Sequence, residues 1–294
     1  MRKHFSVFLI FSFLTLCSLR AFTSPQSPDY IIFKGDTVAT YTLLLELYFQ
    51  QQDKAEQGKL FGLSFRDGAS FNCWRGYQAI YEVDNDSLFL VDIIYCGERR
   101  NGKINKAASV EKMKKIFNEK FFNDRVYINW FSGDIKFPLT NKVLRWDGVF
   151  YTIYEREKVI SISGGRVLAM KDVENYIDDP GRINRKDKNK ISDTLFKKLK
   201  KAKWKNNADF DCSEKYMVTI DGNGNVSKVR MLYAEDEIEK YYEKDEYNFC
   251  ISKVYNALKT LKFDIIKDAG KPISEDIYIE IWVEDNGKLE NWTR

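Results

Sequence analysis

Four cysteines, Cys73, Cys96, Cys212 and Cys250, are the residues of this 294-residue chain best placed for covalent chemistry. Zinc needs thiolates clustered at short spacing, and no CxxC occurs, so cross-linking is the stronger reading and free buried thiols the alternative. Four cysteines allow three pairings. The segment CWRGYQAIYEVDNDSLFLVDIIYC (73–96) favours one, because two β-rich runs flank DND, a hairpin signal. A turn centred on Asp84–Asn85 sets Cys73 opposite Cys96, near the ~5.5 Å Cα separation that disulfides prefer. Cys212 and Cys250 then tie the start of a strand to a helix.

Acid chemistry is the other option. His4 is the only histidine, and it lies at the extreme N-terminus. Without histidine the rest of the chain lacks Ser-His-Asp and Cys-His nucleophiles and His-ligated metals. No GxxxxGK[ST] or GxGxxG phosphate loop occurs. A glycan hydrolase needs only two acids across a cleft, and Asp178–Asp179 and Glu235–Asp236–Glu237 are candidates by composition. Solvated acidic loops and helix starts are the simpler expectation for them. DGNGN (221–225) spaces Asp221, Asn223 and Asn225 like calcium ligands, but a calcium loop wants Gly at its sixth position and Glu at its twelfth. Val226 and Leu232 stand there, so the stretch reads as a hairpin turn between YMVTI and VSKVRML. The expectation is a non-catalytic protein with no metal or cofactor.

The N-terminus reads as an export signal. MRKH is a basic start, and Phe5–Leu19 is an apolar run of fifteen residues. At ~1.5 Å per residue this is short of a ~30 Å bilayer core. Cleavage after Ala21 is expected. A lipoprotein acylated at Cys17 is a weaker alternative, since Leu16 stands where a small residue belongs, and a retained anchor is a third. Periplasmic or secreted localisation follows, consistent with paired cysteines.

The formal net charge is +4, and it is segregated. Residues 182–205 carry eleven Lys/Arg against Asp187 and Asp193, whereas 207–294 carry nineteen Asp/Glu against twelve Lys/Arg. No interleaved aromatics accompany the lysines, so a nucleic-acid partner is not expected. Ile191, Leu195, Leu199 and Ala202 recur at helical spacing within the basic segment 191–205. The helix is expected to pack on the acidic part, with contact to a membrane surface as the alternative.

Periodicity divides the chain into 24–178, a linker at 179–190 marked by DDPGRINRKDKNK, and 191–294. The first part is expected to be mostly antiparallel β. Hairpins are expected at 30–42, 73–96 and 125–139, with further strands on either side of SGGR (163–166). LLLELYFQQQ (43–52) suits a short strand or helix. One helix, opened by Ser109, would carry Val110, Met113, Ile116 and Phe117 on one face. Trp74, Arg75, Trp130 and Trp146 invite a carbohydrate- or peptide-binding role, although core packing is the simpler expectation for each. The second part reads α-β-β-α-β, so the fold class is α+β. Its closing strand EDIYIEIWVE alternates Ile277, Ile279, Ile281 and Val283 with Tyr278, Glu280 and Trp282.

Over about 190–285 the chain resembles the C-terminal domain of TonB-type energy transducers. The resemblance is carried by the DGNGNV turn, the strand VSKVRML, the helix end ALKTLKF, the GKPI loop (270–273) and the closing strand. It implies a periplasmic module whose last strand, 277–283, recruits an extended partner peptide by edge addition. That family carries a membrane anchor and a Pro-rich spacer, whereas this chain has five prolines and a folded β-rich part there. The expectation is therefore a protein- or peptide-binding scaffold of the cell envelope, with a divergent transducer held by an uncleaved anchor as the alternative. Residues 28–178 look like uncharacterised secreted proteins of Gram-negative bacteria, through DYIIFKGD, the WRGY…SLFLVDI hairpin and WFSGDIKFPL. That likeness implies no activity.

Overall fold

The computed structural model describes residues 25–51, 70–204, 210–233 and 237–293. The expected signal segment 1–21, with His4 and Cys17, lies outside them. The fold is α+β.

The N-terminal half is one curved nine-stranded sheet with two helices. Strands β1 (Asp29–Phe33) and β2 (Asp36–Thr40) form the expected first hairpin, and α1 (Leu44–Gln51) follows as a helix rather than a strand. Strands β3 (Tyr77–Asp84) and β4 (Ser87–Tyr95) are joined by Asn85–Asp86, both at positive φ. Such a two-residue turn matches the twist of the strands it connects. Helix α2 (Lys106–Phe117) is followed by short β5 (Phe121–Phe122) and β6 (Arg125–Tyr127). Then come β7 (Gly133–Pro138), the hairpin β8 (Val143–Trp146) and β9 (Thr152–Tyr154), and β10 (Arg156–Ser163) with β11 (Arg166–Glu174). The strand order is β2-β1-β3-β4-β11-β10-β7, with β6 also on β4 and β5 on β6. Leu44, Phe49, Tyr81, Leu90, Met113 and Ile160 are among the side chains filling its core.

Several expectations need correction. The N-terminal half holds two helices, not one, and β1 pairs with β3 in parallel. Residues 125–139 are not a hairpin, since β6 lies on β4 while β7 lies on β10. Ser109 does not open α2. Asn105 caps it by accepting from the Ala108 amide, and Ser109 is buried one turn in, donating to Asp92 Oδ1 at 2.9 Å. The Cys73–Cys96 disulfide forms, with Cα atoms 6.1 Å apart, but not as a cross-strand pair. The ladder starts at Tyr77↔Tyr95 and has a bulge at Ile80/Tyr81. A turn in which the Gly76 amide reaches the Cys73 carbonyl folds Cys73 back onto Cys96.

In the C-terminal half, α3 (Asn189–Leu199) and α5 (Lys244–Leu258) pack against the sheet β14-β13-β17-β18. Its strands are β13 (Glu214–Ile220), β14 (Val226–Met231), β17 (Glu275–Val283) and β18 (Leu289–Asn291). A one-turn helix α4 (Ile238–Tyr241) precedes α5. Helix α3 buries Ile191, Leu195 and Leu199 as its spacing predicts, and ends at Leu199 rather than running to 205. Cys212, just before β13, is bonded to Cys250 on α5, with Cα atoms 5.3 Å apart.

The connecting stretch 179–190 is anchored, not slack. Strand β12 (Tyr176–Ile177) pairs with β15 (Ile265–Asp268), which pairs in turn with β16 (Lys271–Pro272). Ile183 bridges Phe263, and Arg185 is fully buried. Arg145 on β8 and Arg185 both reach Glu275 at the start of β17.

Candidate functional site: an aromatic cleft at the sheet seam

Strands β2 and β7 end the strand order, yet curvature brings them together. The Thr40 hydroxyl donates to the Lys136 carbonyl at 3.2 Å, and the Phe33 and Phe137 rings lie 5.7 Å apart. The seam is bridged by side chains and not closed by a ladder. Above it hangs the β8–β9 hairpin, whose turn is built by Asp147. One Asp147 oxygen accepts the amides of Val149, Phe150 and Tyr151 at 2.7–3.1 Å, which fixes where Phe150 and Tyr151 project.

A cleft of about 260 Å³ lies between the seam and the hairpin. Five aromatic residues line it: Tyr41, Phe137, Phe150, Tyr151 and Tyr154. Its Asp, Glu and Lys lining is Asp147, Glu157 and Lys136. Lys136 is ion-paired with Asp268 of β15, which also accepts the Tyr151 hydroxyl at 2.9 Å. Burial, reinforced by that carboxylate, pushes the Tyr151 hydroxyl well above its ordinary pKa.

Glu157 on β10 is only 1% exposed. It accepts from the Tyr154 amide at 3.2 Å and from the Asn175 side-chain amide at 2.6 Å. Burial raises its carboxyl pKa above the usual value, and the Lys136 charge only partly opposes this. Asn175 is itself fully buried and accepts the Gly270 amide, so residues of the C-terminal half brace the back of the cleft.

Exposed aromatics continue from the cleft. Trp74 stacks on Phe150 with ring centroids 6.1 Å apart. Gln26 ties the strip together, bonding Phe71 O, Trp74 N and Val149 O. Phe71 is 83% exposed, Trp74 47% and Trp146 52%. Of the four residues singled out in the sequence, Trp74 and Trp146 therefore face solvent. Trp130 stacks on Phe117 against the core, and Arg75 is buried in an ion pair with Asp29 at 2.7 Å.

Other candidates do not converge on the cleft. Asp179 is held by Arg182 and Gly181 in a turn, and Asp178 is exposed. Glu235 and Asp236 lie outside the described residues, and Glu237 precedes α4. Asp221 accepts the Asn223 and Asn225 amides, each at 2.9 Å, as a turn residue does. Among the described residues no group of three or more His, Cys, Asp or Glu could hold a metal ion. None of the described helices is long and apolar enough to cross a membrane.

The strand 277–283 is paired on one side over most of its length and on the other only near its end. Strand β13 pairs with β17 from Glu275 to Ile281, and β18 covers Ile281, Trp282 and Val283. Ile277, Ile279, Ile281 and Val283 are buried, while Tyr278, Glu280 and Trp282 face outward. No family model matches the chain, and no curated protein or solved structure is significantly similar to it.

Proposed function

We propose that the protein is an exported, non-catalytic component of the cell envelope that binds a peptide or protein partner in the aromatic cleft at the seam. The observation that carries this reading is the continuous run of aromatic side chains from Trp74 through Phe150 and Tyr151 into the cleft. Large exposed aromatics cost solubility unless a partner covers them, and aromatic anchors in pockets dominate interface energetics. The apolar N-terminal run and the two disulfides support export. The test is a photo-cross-linking amino acid placed at Tyr151 in the cell, with mass spectrometry of the mature N-terminus. Expected are a discrete adduct from position 151, no adduct from the buried position 218, and a chain beginning near Phe22. A chain retaining residues 1–21 favours the anchored transducer.

The resemblance to the TonB C-terminal module supports a second reading, strand addition at the closing strand. It is favoured by the short reach of β18, which leaves Glu275–Ile279 of β17 without a strand neighbour on that side among the described residues. Trp282, stacked on Trp292, stands beside this edge. A cross-linker at Trp282 that traps the partner, with none trapped from 151, selects this reading over the cleft.

A further inference from the structure

We propose that the cleft takes an organic cation, an ammonium or guanidinium group, seated between the aromatic walls with Glu157 as its counter-ion. This rests on the cleft being a binding site and names the ligand chemistry it fits. Two independent features argue for it.

The first is charge. Lys136, the cation in the lining, is already neutralised by Asp268, and the nearby Arg145 is bonded to Glu275. Glu157 has only the neutral Tyr154 amide and Asn175 side chain as hydrogen-bond partners among the described residues. A buried carboxylate hydrogen-bonded only to neutral dipoles, with the Lys136 charge shared with Asp268, keeps a negative field that is only partly compensated. Asp147 adds a second carboxylate to the lining. Anionic ligands are thereby disfavoured and a cation is drawn in.

The second is the wall. Aromatic faces attract cations through their ring quadrupoles within ~6 Å of the centroid. Here Tyr41, Phe137, Phe150, Tyr151 and Tyr154 surround one small space. The structure already uses this attraction at the edge of the cleft, where the Lys136 ammonium sits 5.1 Å from the Tyr151 ring centroid. An apolar ligand would be served by the same walls but would leave Glu157 with only the Lys136 charge that Asp268 already shares. The cationic group has two natural sources, a lysine or arginine side chain of a partner peptide or a free quaternary ammonium compound.

The test titrates the full exported chain by calorimetry or saturation-transfer NMR with N-acetyl-lysine amide, tetramethylammonium and the uncharged isostere N-acetyl-norleucine amide. A cationic probe is expected to bind about tenfold or more tighter than the norleucine amide. Preference for the lysine amide identifies a peptide side chain, and preference for tetramethylammonium a free quaternary cation. Glu157→Gln is expected to weaken the cationic probe about 30-fold or more. Tyr151→Leu, which keeps an apolar wall, serves as the second variant should Glu157→Gln not fold, and is expected to weaken cations selectively. Norleucine amide binding as tightly as the cations overturns the cation assignment but leaves the cleft as a binding site. Binding of none of the three probes, with no cross-link from position 151, overturns both.

Discussion

Arg145 of the N-terminal half grips Glu275 of the C-terminal half with two guanidinium nitrogens, Nη2 lying 2.8 Å from Oε2. Arg185, from the connecting stretch, donates to the same carboxylate from Nε at 2.9 Å. The Glu275 side chain is 8% exposed, so the trio is a buried clasp between the halves.

Removing its only carboxylate strands two buried guanidinium groups. Glu275→Ala is expected to cost about 3–5 kcal/mol, read as a lower urea midpoint. Burial alone would push the Glu275 carboxyl up, but the hydrogen bonds and charges of Arg145 and Arg185 outweigh it and hold the value below normal. For a depressed carboxyl, the stabilisation is full above the unfolded value, about 4.3, and is lost as pH falls through the folded value. Wild-type stability should therefore fall below about pH 4 more steeply than that of Glu275→Gln. Parallel acid titrations of the two would sink the idea.

Cys73–Cys96 and Cys212–Cys250 close loops with sequence separations of 23 and 38. Each is expected to contribute about 3–4 kcal/mol on the chain-entropy account, the longer loop slightly more. Alkylation of the native chain should label none of the four cysteines, and paired Cys→Ala variants should melt well below wild type. A Cys212→Ala/Cys250→Ala chain with an unchanged melting temperature would contradict this.

Which parts of this were legible in the sequence follows from range. The buried face of helix α3 and the SGGR and DGNGN turns rest on local spacing, and local spacing survives folding. Cys73–Cys96 forms without the cross-strand register that suggested it, and Cys212–Cys250 is the pair that remains. Ser109 misleads because a serine at the head of an apolar pattern is a good cap, whereas Asn105 caps the helix. The Ser109 bond goes to Asp92, 17 residues away, which periodicity does not encode. The cleft is harder still, since it joins β2, β7, the β8–β9 hairpin and β10 through sheet curvature. Glu157 and Val159 are buried on the face of β10 opposite the core residues Ile160 and Ile162, so an alternating pattern read from those isoleucines puts Glu157 on the outer face. Asp268 and Gly270, which brace the cleft from more than 90 residues away in sequence, left no local mark.

Gly224 makes the DGNGN turn specific to glycine. Its φ is +79°, and a Cβ there would run into the Phe263 carbonyl oxygen, while Phe263 N donates to Gly224 O at 2.8 Å. Gly224→Ala combines left-handed strain with a backbone collision, and the turn cannot retreat without losing that bond. The expected loss is at least about 2 kcal/mol. Gly222→Ala meets only Pro272 at 3.1 Å, without a positive φ, and should cost less. Thermal melts that rank the two in reverse order would remove this account.

Strand β18 is three residues long and pairs with β17 at Ile281↔Asn291, Trp282↔Glu290 and Val283↔Leu289, followed by a Trp292 amide bond to Glu280 O at 2.9 Å and a Glu280 amide bond to the Thr293 hydroxyl at 2.8 Å. The Trp282–Trp292 stack, with centroids 5.1 Å apart and planes 14° from parallel, adds to them. Both rings are nearly half exposed, so their stacking is worth about 0.5–1.5 kcal/mol. Trp292→Ala should therefore fray β18 locally and leave the global unfolding midpoint nearly unchanged. Hydrogen exchange should speed up at Glu280 and Glu290 while the amides of β13 stay protected. Trp282→Ala should have the same effect, and the double variant little more, because both remove one stack. Under the strand-addition reading, a frayed β18 uncovers more of the β17 edge, so Trp292→Ala would bind the partner more tightly than wild type. Under the cleft reading its affinity stays unchanged, because the cleft lining contains neither tryptophan.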